Sequence, residues 1–239
     1  MTSPFEGTVG VVTGASQGIG LAIAASLATE GMKVWMVARR DGPLREAAAT
    51  IAGEVIPLQA DLSGPEGRER LKSSVEADGQ GLHVLVNNAG TIHLGRMEDA
   101  SEDELVDQLT ANVVAPYALT RQFLPMLKSS HGDIVFVNSS AGRTASPGSG
   151  QFSATQHAVR AFAESLRAEI NPDGVRVTVL HPGRTATPRQ EAIYAGEGRA
   201  YEPGRLMQPE DVAQIVTAVL RLPRTAEVTE VSLRSMLKP

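Results

Sequence analysis

The chain has 239 residues, 42% of them hydrophobic and 21% charged, which is enough apolar material for one large domain with a buried core. Its 22 basic and 27 acidic side chains leave a net charge of −5, without the basic excess of proteins that bind nucleic acids or anionic membranes. It contains no cysteine, which excludes disulfides, thiolate nucleophiles and cysteine-bound zinc. We therefore expect a cytoplasmic protein that binds a small molecule, with neither nucleic acid nor membrane as a partner.

Short apolar, β-branched runs alternate with longer helical patterns along the whole chain. The runs that predict strands are 8–13, 33–38, 54–59, 82–87, 133–138, 175–181 and 227–233. The segments that predict helices are 18–30, 42–52, 65–78, 101–128, 151–170 and 209–221. No repeat or low-complexity linker divides the chain. The pattern predicts one α/β domain over residues 1–239, a doubly wound parallel sheet of about seven strands with helices on both faces.

Residues 184–207 show no clear periodicity over a length that is unusual for a plain connection. The segment contains Tyr194 and Tyr201 together with several proline and glycine breaks. Two interpretations are open: a lid over a substrate, or a disordered surface loop. We expect the lid.

The first predicted strand runs into a turn that contains Gly14, Gly18 and Gly20 and then opens a helix. Such a turn lets the backbone approach a pyrophosphate, with the N–H groups of the helix pointing at it. The spacing alone is weak, because chance would produce it about once in five chains this rich in glycine. Its place between a strand and a helix favours a dinucleotide site over a plain turn.

The end of the second strand discriminates between dinucleotides. An acidic residue there would bind the ribose 2′-hydroxyl of NAD, whereas this chain has Arg39 and Arg40, which suit a 2′-phosphate. NADP(H) is therefore favoured over NAD(H). The alternative is that both arginines only solvate a strand end, with Asp41 partly neutralising them.

These motifs resemble the short-chain dehydrogenase/reductase family over essentially the whole chain, and the resemblance implies a Rossmann-type fold. The residues that carry it are the glycines of the turn, Asp61-Leu62, Asn87-Asn88-Ala89-Gly90, Asn112, Ser139 and Pro182-Gly183-x-x-x-Thr187. The resemblance implies a cofactor site made by Gly14, Ser16, Gln17, Gly18, Ile19, Gly20, Arg39, Arg40, Asp61, Leu62, Asn88, Ala89, Gly90, Gln156, Pro182, Gly183 and Thr187. It also implies pairing of subunits into a homodimer or homotetramer through the helices near 101–128 and 151–170.

The family transfers a hydride between nicotinamide C4 and a carbonyl or alcohol, with an asparagine, a serine, a tyrosine and a lysine as its catalytic set. Asn112 and Ser139 resemble the first two, although either could equally be kept for packing. The family spacing from Ser139 then puts Phe152 in the tyrosine position and Gln156 in the lysine position. The catalytic set is degenerate at those two positions.

Phenylalanine has no hydroxyl to pass a proton, and glutamine has no charge to lower a neighbour's pKa. General acid–base catalysis contributes about 10²–10⁴-fold, or roughly 3–5 kcal/mol, so a standard reaction should be severely slowed. Replacement donors to consider are His93, His181, Tyr194 and Tyr201, each with a structural role as the alternative. His157 lies about 100° around the helix from Phe152 and Gln156, so we expect it to point elsewhere.

Three functions stay open. The first is an NADP(H)-dependent oxidoreductase of small carbonyls or alcohols with weak or atypical activity. The second is a non-catalytic homologue that binds NADP(H) or another ligand as a sensor or partner subunit. The third is an engineered inactive variant, since Tyr to Phe would silence the site. The five histidines show no metal-ligand spacing, so we expect no metal site.

Overall fold

The structure is a computed structural model that describes residues 3–237. Its strands form one parallel sheet, in the order β3-β2-β1-β4-β5-β6-β7. The strands are β1 (Val9–Thr13), β2 (Lys33–Ala38), β3 (Val55–Gln59), β4 (Val84–Asn87), β5 (Asp133–Val137), β6 (Arg176–Pro182) and β7 (Glu230–Leu233). The predicted seven-stranded, doubly wound sheet is confirmed.

The helices lie on both faces of this sheet. They are α1 (Gly18–Thr29), α2 (Asp41–Ala49), α3 (Pro65–Asp78), α4 (Glu102–Leu109), α5 (Ala115–Ser130), α6 (Gly150–Ile170), α7 (Pro188–Gly196) and α8 (Pro209–Leu220). On one face α1, α2 and α8 bury Ile23, Leu44 and Val212. On the other, α3 and α5 bury Leu71 and Phe123. No helix within residues 3–237 is both long and apolar enough to cross a lipid bilayer.

The predicted helix over 101–128 is in fact two helices joined by a widened π-helical turn over Thr110–Val114. Ser101 opens α4 with the expected capping box to Glu104. The interruption follows from Pro116, which cannot donate a backbone hydrogen bond to the carbonyl of Asn112 and whose ring would collide with it. A wider turn accommodates the proline, and Asn112 is the buried residue of that turn.

The 184–207 segment, which showed no clear periodicity in the sequence, contains the helix α7. Thr187 caps the helix by accepting a hydrogen bond from the Gln190 N–H, and proline follows at the first helical position. Tyr194 is buried, with the guanidinium groups of Arg184 and Arg199 each 4.8 Å from its ring centre. The segment is therefore a folded part of the domain, and its helix is too short to show a clear period in the sequence.

The sheet places one crevice in position for a ligand. The chain moves outward from β1 through β2 to β3, then crosses back to β4 on the other side of β1. Between two such strands the following segments diverge at the carboxyl ends, and a crevice opens there. The turn after β1 and the segment after β4 form its floor.

Candidate functional site

A cleft of about 610 Å³ lies at the carboxyl ends of the strands. Most of the residues predicted for a cofactor site line it. They are Gly14, Ser16, Gln17, Gly18, Ile19, Arg39, Arg40, Asp61, Leu62, Asn88, Ala89, Gly90, Pro182, Gly183 and Thr187. Ser139 and Phe152 also line it, whereas Asn112 and Gln156 line a smaller adjoining cavity of about 60 Å³. Gly20 is buried beneath the turn.

The three glycines of the turn are each required by the backbone. Gly14 and Gly18 have φ of 66° and 57°, in the left-handed region that favours glycine. A Cβ on Gly20 would lie 2.3 Å from the carbonyl oxygen of Gly14, which backbone packing cannot tolerate. The turn thus brings α1 close to the strand, and Gln17 leaves the N-terminus of that helix without a side-chain cap. Uncapped N–H groups at this end suit an anion.

The segment after β4 is tied to the same turn by side-chain hydrogen bonds. The Thr13 hydroxyl accepts from the N–H groups of Asn88 and Ala89, both at 2.9 Å. The amide of Asn88 donates to the carbonyls of Thr13 at 2.9 Å and Gly14 at 3.2 Å. These bonds join the segment after β4 to the turn after β1, so the side chain of Asn88 holds the backbone of that turn in place.

Two arginines at the end of β2 face the cleft, and no side chain within residues 3–237 neutralises them in an ion pair. Arg39 and Arg40 are exposed and line the cleft. Asp41, the acid that could have neutralised them, accepts instead from Arg45 Nε at 2.8 Å. On the other side Asp61 accepts from the hydroxyl and N–H of Ser63, which lowers its pKa, and the charge of Arg39 lowers it further. This end of the cleft is cationic.

On the opposite side, the polar side chains bind one another. The Asn112 amide nitrogen donates to the Thr91 carbonyl at 2.9 Å and to the Thr155 hydroxyl at 3.1 Å. The Asn112 amide oxygen accepts from the Thr91 N–H at 2.7 Å. Gln156 donates to the same Thr155 hydroxyl at 3.2 Å, and that hydroxyl donates to the Phe152 carbonyl at 2.8 Å. We call Asn112, Thr155 and Gln156 the amide network.

Ser139 and Phe152 form the wall beside the amide network. The Ser139 hydroxyl accepts from the Ala141 N–H at 3.1 Å and so caps the short helical turn over Ser140–Gly142. Phe152 contributes a half-buried ring to the cleft. Among the described residues, the ionisable side chains that line the cleft are Arg39, Arg40, Asp61, Asp107 and Arg189. That set contains no tyrosine, lysine or histidine.

The replacement donors considered from the sequence lie outside this lining. His93 Nε2 is 2.8 Å from Asp107, which itself faces the cleft. His181 is buried behind Ser139 and donates from Nδ1 to its carbonyl at 3.1 Å, and desolvation lowers its pKa. Tyr194 and Tyr201 pack edge to face, with ring centres 5.7 Å apart. None of these four lies where a substrate in the cleft would meet it directly.

His157, as expected, points away from the cleft. It is exposed, and its Nδ1 is 2.9 Å from the Ser153 carbonyl of the preceding helical turn. Within residues 3–237 no group of three or more His, Asp or Glu side chains is placed to hold a metal ion.

Two residues of the site were missed by sequence reasoning. Thr155 is fully buried and connects the amide network, and its position three residues after Phe152, on one helix face, was the available signal. Arg189 lies two residues after Thr187, and its Nη2 donates to the Gly90 carbonyl at 2.6 Å across the cleft. A cation just beyond the Pro182-Gly183-x-x-x-Thr187 motif was the available signal for Arg189.

Comparison with known proteins identifies the family. The short chain dehydrogenase family model matches residues 8–198, so the chain belongs to that family. An uncharacterized short-chain type dehydrogenase/reductase of Sinorhizobium fredii is 34% identical over 230 residues, covering 94% of this chain and 90% of the relative. The protein is thus a family member of the oxidoreductase type.

Solved structures share the fold across almost the whole chain. An alcohol dehydrogenase from the archaeon Thermococcus sibiricus, complexed with 5-hydroxy-NADP, has a TM-score of 0.85 and 30% identity, covering 97% of this chain and 98% of that one. An actinorhodin polyketide ketoreductase with NADPH has a TM-score of 0.89 and 26% identity, covering 96% and 97%. Both neighbours carry an NADP-type nucleotide.

Proposed function

We propose that this protein binds NADP(H), in preference to NAD(H), in the cleft at the carboxyl edge of the sheet. The observation that carries the proposal is the pair Arg39 and Arg40, which face the cleft while the adjacent acid is occupied by Arg45. A 2′-phosphate there would meet two cations, whereas a 2′-hydroxyl would meet no carboxylate at the end of β2. The nucleotides held by the structural neighbours support the same assignment.

The bound cofactor would supply or accept a hydride at nicotinamide C4, for a small carbonyl or alcohol substrate. In the proposed assignment Phe152 stands where the family has its tyrosine and Gln156 where it has its lysine. Phe152 shapes the wall and excludes water but cannot hold a proton. The amide of Gln156 is neutral and bound to Thr155, so it neither lowers a pKa nor adds charge. Turnover of ordinary carbonyls is therefore weak.

A second function is favoured by the lining of the cleft itself. The described residues put no tyrosine, lysine or histidine on the cleft surface. A site that keeps its nucleotide-binding half and lacks a proton donor suits a non-catalytic NADP(H)-binding homologue, acting as a sensor or as a partner subunit. The two functions share the nucleotide site and differ only in turnover.

Nucleotide-dependent thermal stability tests the shared part of the proposal. A ligand at a hundred times its Kd stabilises by about 2.7 kcal/mol, which for a domain of this size raises Tm by about 5–10 °C. We expect that shift with NADPH and a clearly smaller one with NADH at equal concentration. Arg39→Ala with Arg40→Ala should remove the difference. An equal shift with both nucleotides, or none with either at millimolar concentration, would contradict the proposal.

A turnover screen then separates the two functions. The native protein is mixed with NADPH and a panel of ketones and aldehydes, or with NADP⁺ and alcohols, and absorbance at the nicotinamide band is followed. Slow turnover of a panel member supports the atypical oxidoreductase. Nucleotide binding with no turnover of any panel member supports the non-catalytic homologue.

We also propose that the protein pairs into a homodimer or homotetramer through the helices near 101–128 and 151–170. Three apolar side chains on this surface are solvent-exposed: Val106 by 59%, Val114 by 49% and Tyr117 by 56%. An apolar patch of this kind is typical of a protein–protein contact. Light scattering on the native chain should give a multiple of the protomer mass, and Tyr117→Lys with Val106→Glu should reduce it.

A further inference from the structure

Arg189 extends from the second position of α7 into the cleft. Its Nη2 donates to the carbonyl of Gly90 at 2.6 Å, which links the 184–207 segment to the end of β4. The side chain lines the large cleft and also the small cavity beside Phe152 and Gln156. It is therefore a cation in the middle of the site, distinct from the pair at the end of β2.

The charge of Arg189 lacks an acidic partner among residues 3–237. Its side-chain hydrogen bond goes to the neutral carbonyl of Gly90. The Arg189 side chain is exposed to solvent at the cleft, and desolvation by the surrounding protein, followed by the like charge of Arg39, lowers its pKa. A guanidinium in such surroundings gains from an anion that enters the cleft, because two parallel N–H···O bonds would replace one to a neutral oxygen.

The backbone around Arg189 points to the place where that anion would lie. The Cγ2 of Thr187 is 3.0 Å from the position of a Cβ on Gly18, so the start of α7 packs directly against the start of α1. The N-terminus of α1 has no side-chain cap. Arg39 and Arg40 stand at the adenosine end, at the end of β2. The anion site thus lies between the 2′-phosphate end and the Phe152 wall, where a dinucleotide carries its pyrophosphate.

We propose that Arg189 binds the pyrophosphate of the dinucleotide, holding it between the glycine turn and α7. This inference rests on the proposed NADP(H) binding and adds a residue to it. When the pyrophosphate enters, the Arg189 guanidinium exchanges the Gly90 carbonyl for phosphate oxygens. The 184–207 segment is thereby held against the cofactor, and Arg189 acts as a binding residue with no proton to transfer at neutral pH.

Two ligands separate Arg189 from the 2′-phosphate site. NADPH carries both the pyrophosphate and the 2′-phosphate, whereas adenosine 2′-monophosphate carries only the latter. We expect Arg189→Gln to raise the Kd for NADPH about 10- to 100-fold, measured by calorimetry, since a charge-assisted hydrogen bond is worth about 1.5–3 kcal/mol. The Kd for adenosine 2′-monophosphate should stay within about twofold. Arg39→Ala should instead weaken both ligands.

Two control variants complete the experiment. Arg189→Lys keeps the charge but loses the paired N–H donors of the guanidinium. It should weaken NADPH binding less than Arg189→Gln. Arg96→Gln makes the same change of net charge at a side chain that is 76% exposed and paired with Glu98, outside the cleft, and should leave both Kd values unchanged. The Tm of each variant without nucleotide shows whether it is folded.

The outcomes are separable. NADPH binding by Arg189→Gln within twofold of the native protein overturns the assignment of Arg189 while leaving the proposed function intact, and leaves an anionic substrate group as the partner to test. Equal weakening of both ligands also overturns it, since the effect would then not belong to the pyrophosphate. A native protein that binds neither NADPH nor NADP⁺ overturns the proposed function itself.

Discussion

The two halves of the cleft are built in different ways. In the half around β1 and β2, backbone geometry shapes the surface: Gly20 packs on the Gly14 carbonyl, and Arg39 and Arg40 line the cleft without an ion pair to Asp41. In the half around α6, the amide network is bonded within itself. The first half offers unused N–H groups and charge to a ligand, whereas the second offers an apolar wall. Nucleotide binding and proton transfer can therefore be lost or kept separately.

The largest effect should come from restoring a proton donor. Phe152→Tyr with Gln156→Lys should raise turnover of small carbonyls by about 10²–10⁴-fold, because a hydroxyl and a charge return to the wall of the cleft. The measurement is kcat/KM with NADPH for the double variant and each single variant. Phe162→Tyr, which adds a hydroxyl within the aromatic contact with Phe136, is the matched control. A native protein with the same kcat/KM as the double variant would contradict the conclusion that the α6 half of the cleft lacks a proton donor.

The next effect should come from the glycine turn. Gly20→Ala places a methyl group against the Gly14 carbonyl oxygen and should cost about 3 kcal/mol of unfolding free energy. It should also abolish the rise in Tm with NADPH. Gly196→Ala, at the end of α7 with no atom within 4 Å of its added Cβ, is the matched control and should change neither. Unfolding in urea and the nucleotide shift in Tm are the two measurements.

A smaller effect is expected at the centre of the amide network. Thr155→Val removes the hydroxyl that accepts from Asn112 and Gln156, so two buried donors lose a partner at a cost of about 2 kcal/mol. Thr155→Ser keeps the hydroxyl and should recover most of that loss. The rise in Tm with NADPH should persist in both variants. Its loss in Thr155→Val would show that the two halves are coupled.

The smallest effect is a dependence of stability on pH. Burial lowers the pKa of His181 below its ordinary 6.5, so the unfolded chain takes up a proton first as the pH falls. Stability from the neutral imidazole is present above pH 6.5 and declines as the pH falls below it. His181→Asn should flatten the Tm profile between pH 7 and pH 5. An unchanged profile would mean that protonated His181 is stabilised by Glu230, which also pairs with Arg143 and Arg160, so that protonation costs no stability.

Glu230 contributes in a separate and more acidic range. Its ion pairs with Arg160 and Arg143 lower its pKa against the opposing effect of burial, so its stabilisation is present above about pH 4.5 and is lost below. The Tm profile of Glu230→Gln should therefore differ from that of His181→Asn below pH 4.5. Comparing the two Tm profiles distinguishes the contribution of His181 to stability from that of Glu230.

The sequence predicted the helix over 101–128 as continuous, and the structure breaks it at Thr110–Val114. Each part has a helical pattern, so periodicity alone could not place the bend. The bend depends on Pro116 and on the bonds of Asn112 to Thr91 and Thr155, the second of these across 43 residues of chain. The helix α7 within 184–207 was also not predicted from the sequence, and there Tyr194 is buried between Arg184 and Arg199.

By itself the sequence determined the fold class and the position of the glycine turn. Both depend on local properties: the alternation of short apolar runs with helical patterns, and a turn whose backbone accepts only glycine at Gly14 and Gly18. It also indicated where ionisable groups were missing, at Phe152 and Gln156.

Only the tertiary structure decided which of the candidate side chains meet. The bond from Arg189 to Gly90 joins residues 99 positions apart, and no spacing rule connects them. Whether Asp41 would neutralise Arg39 and Arg40 depended on a competing partner, Arg45, which takes the carboxylate instead. A side chain's partner is set by the packing of whole elements, because hydrogen bonds and ion pairs act over a few ångströms in space, whatever the distance along the chain.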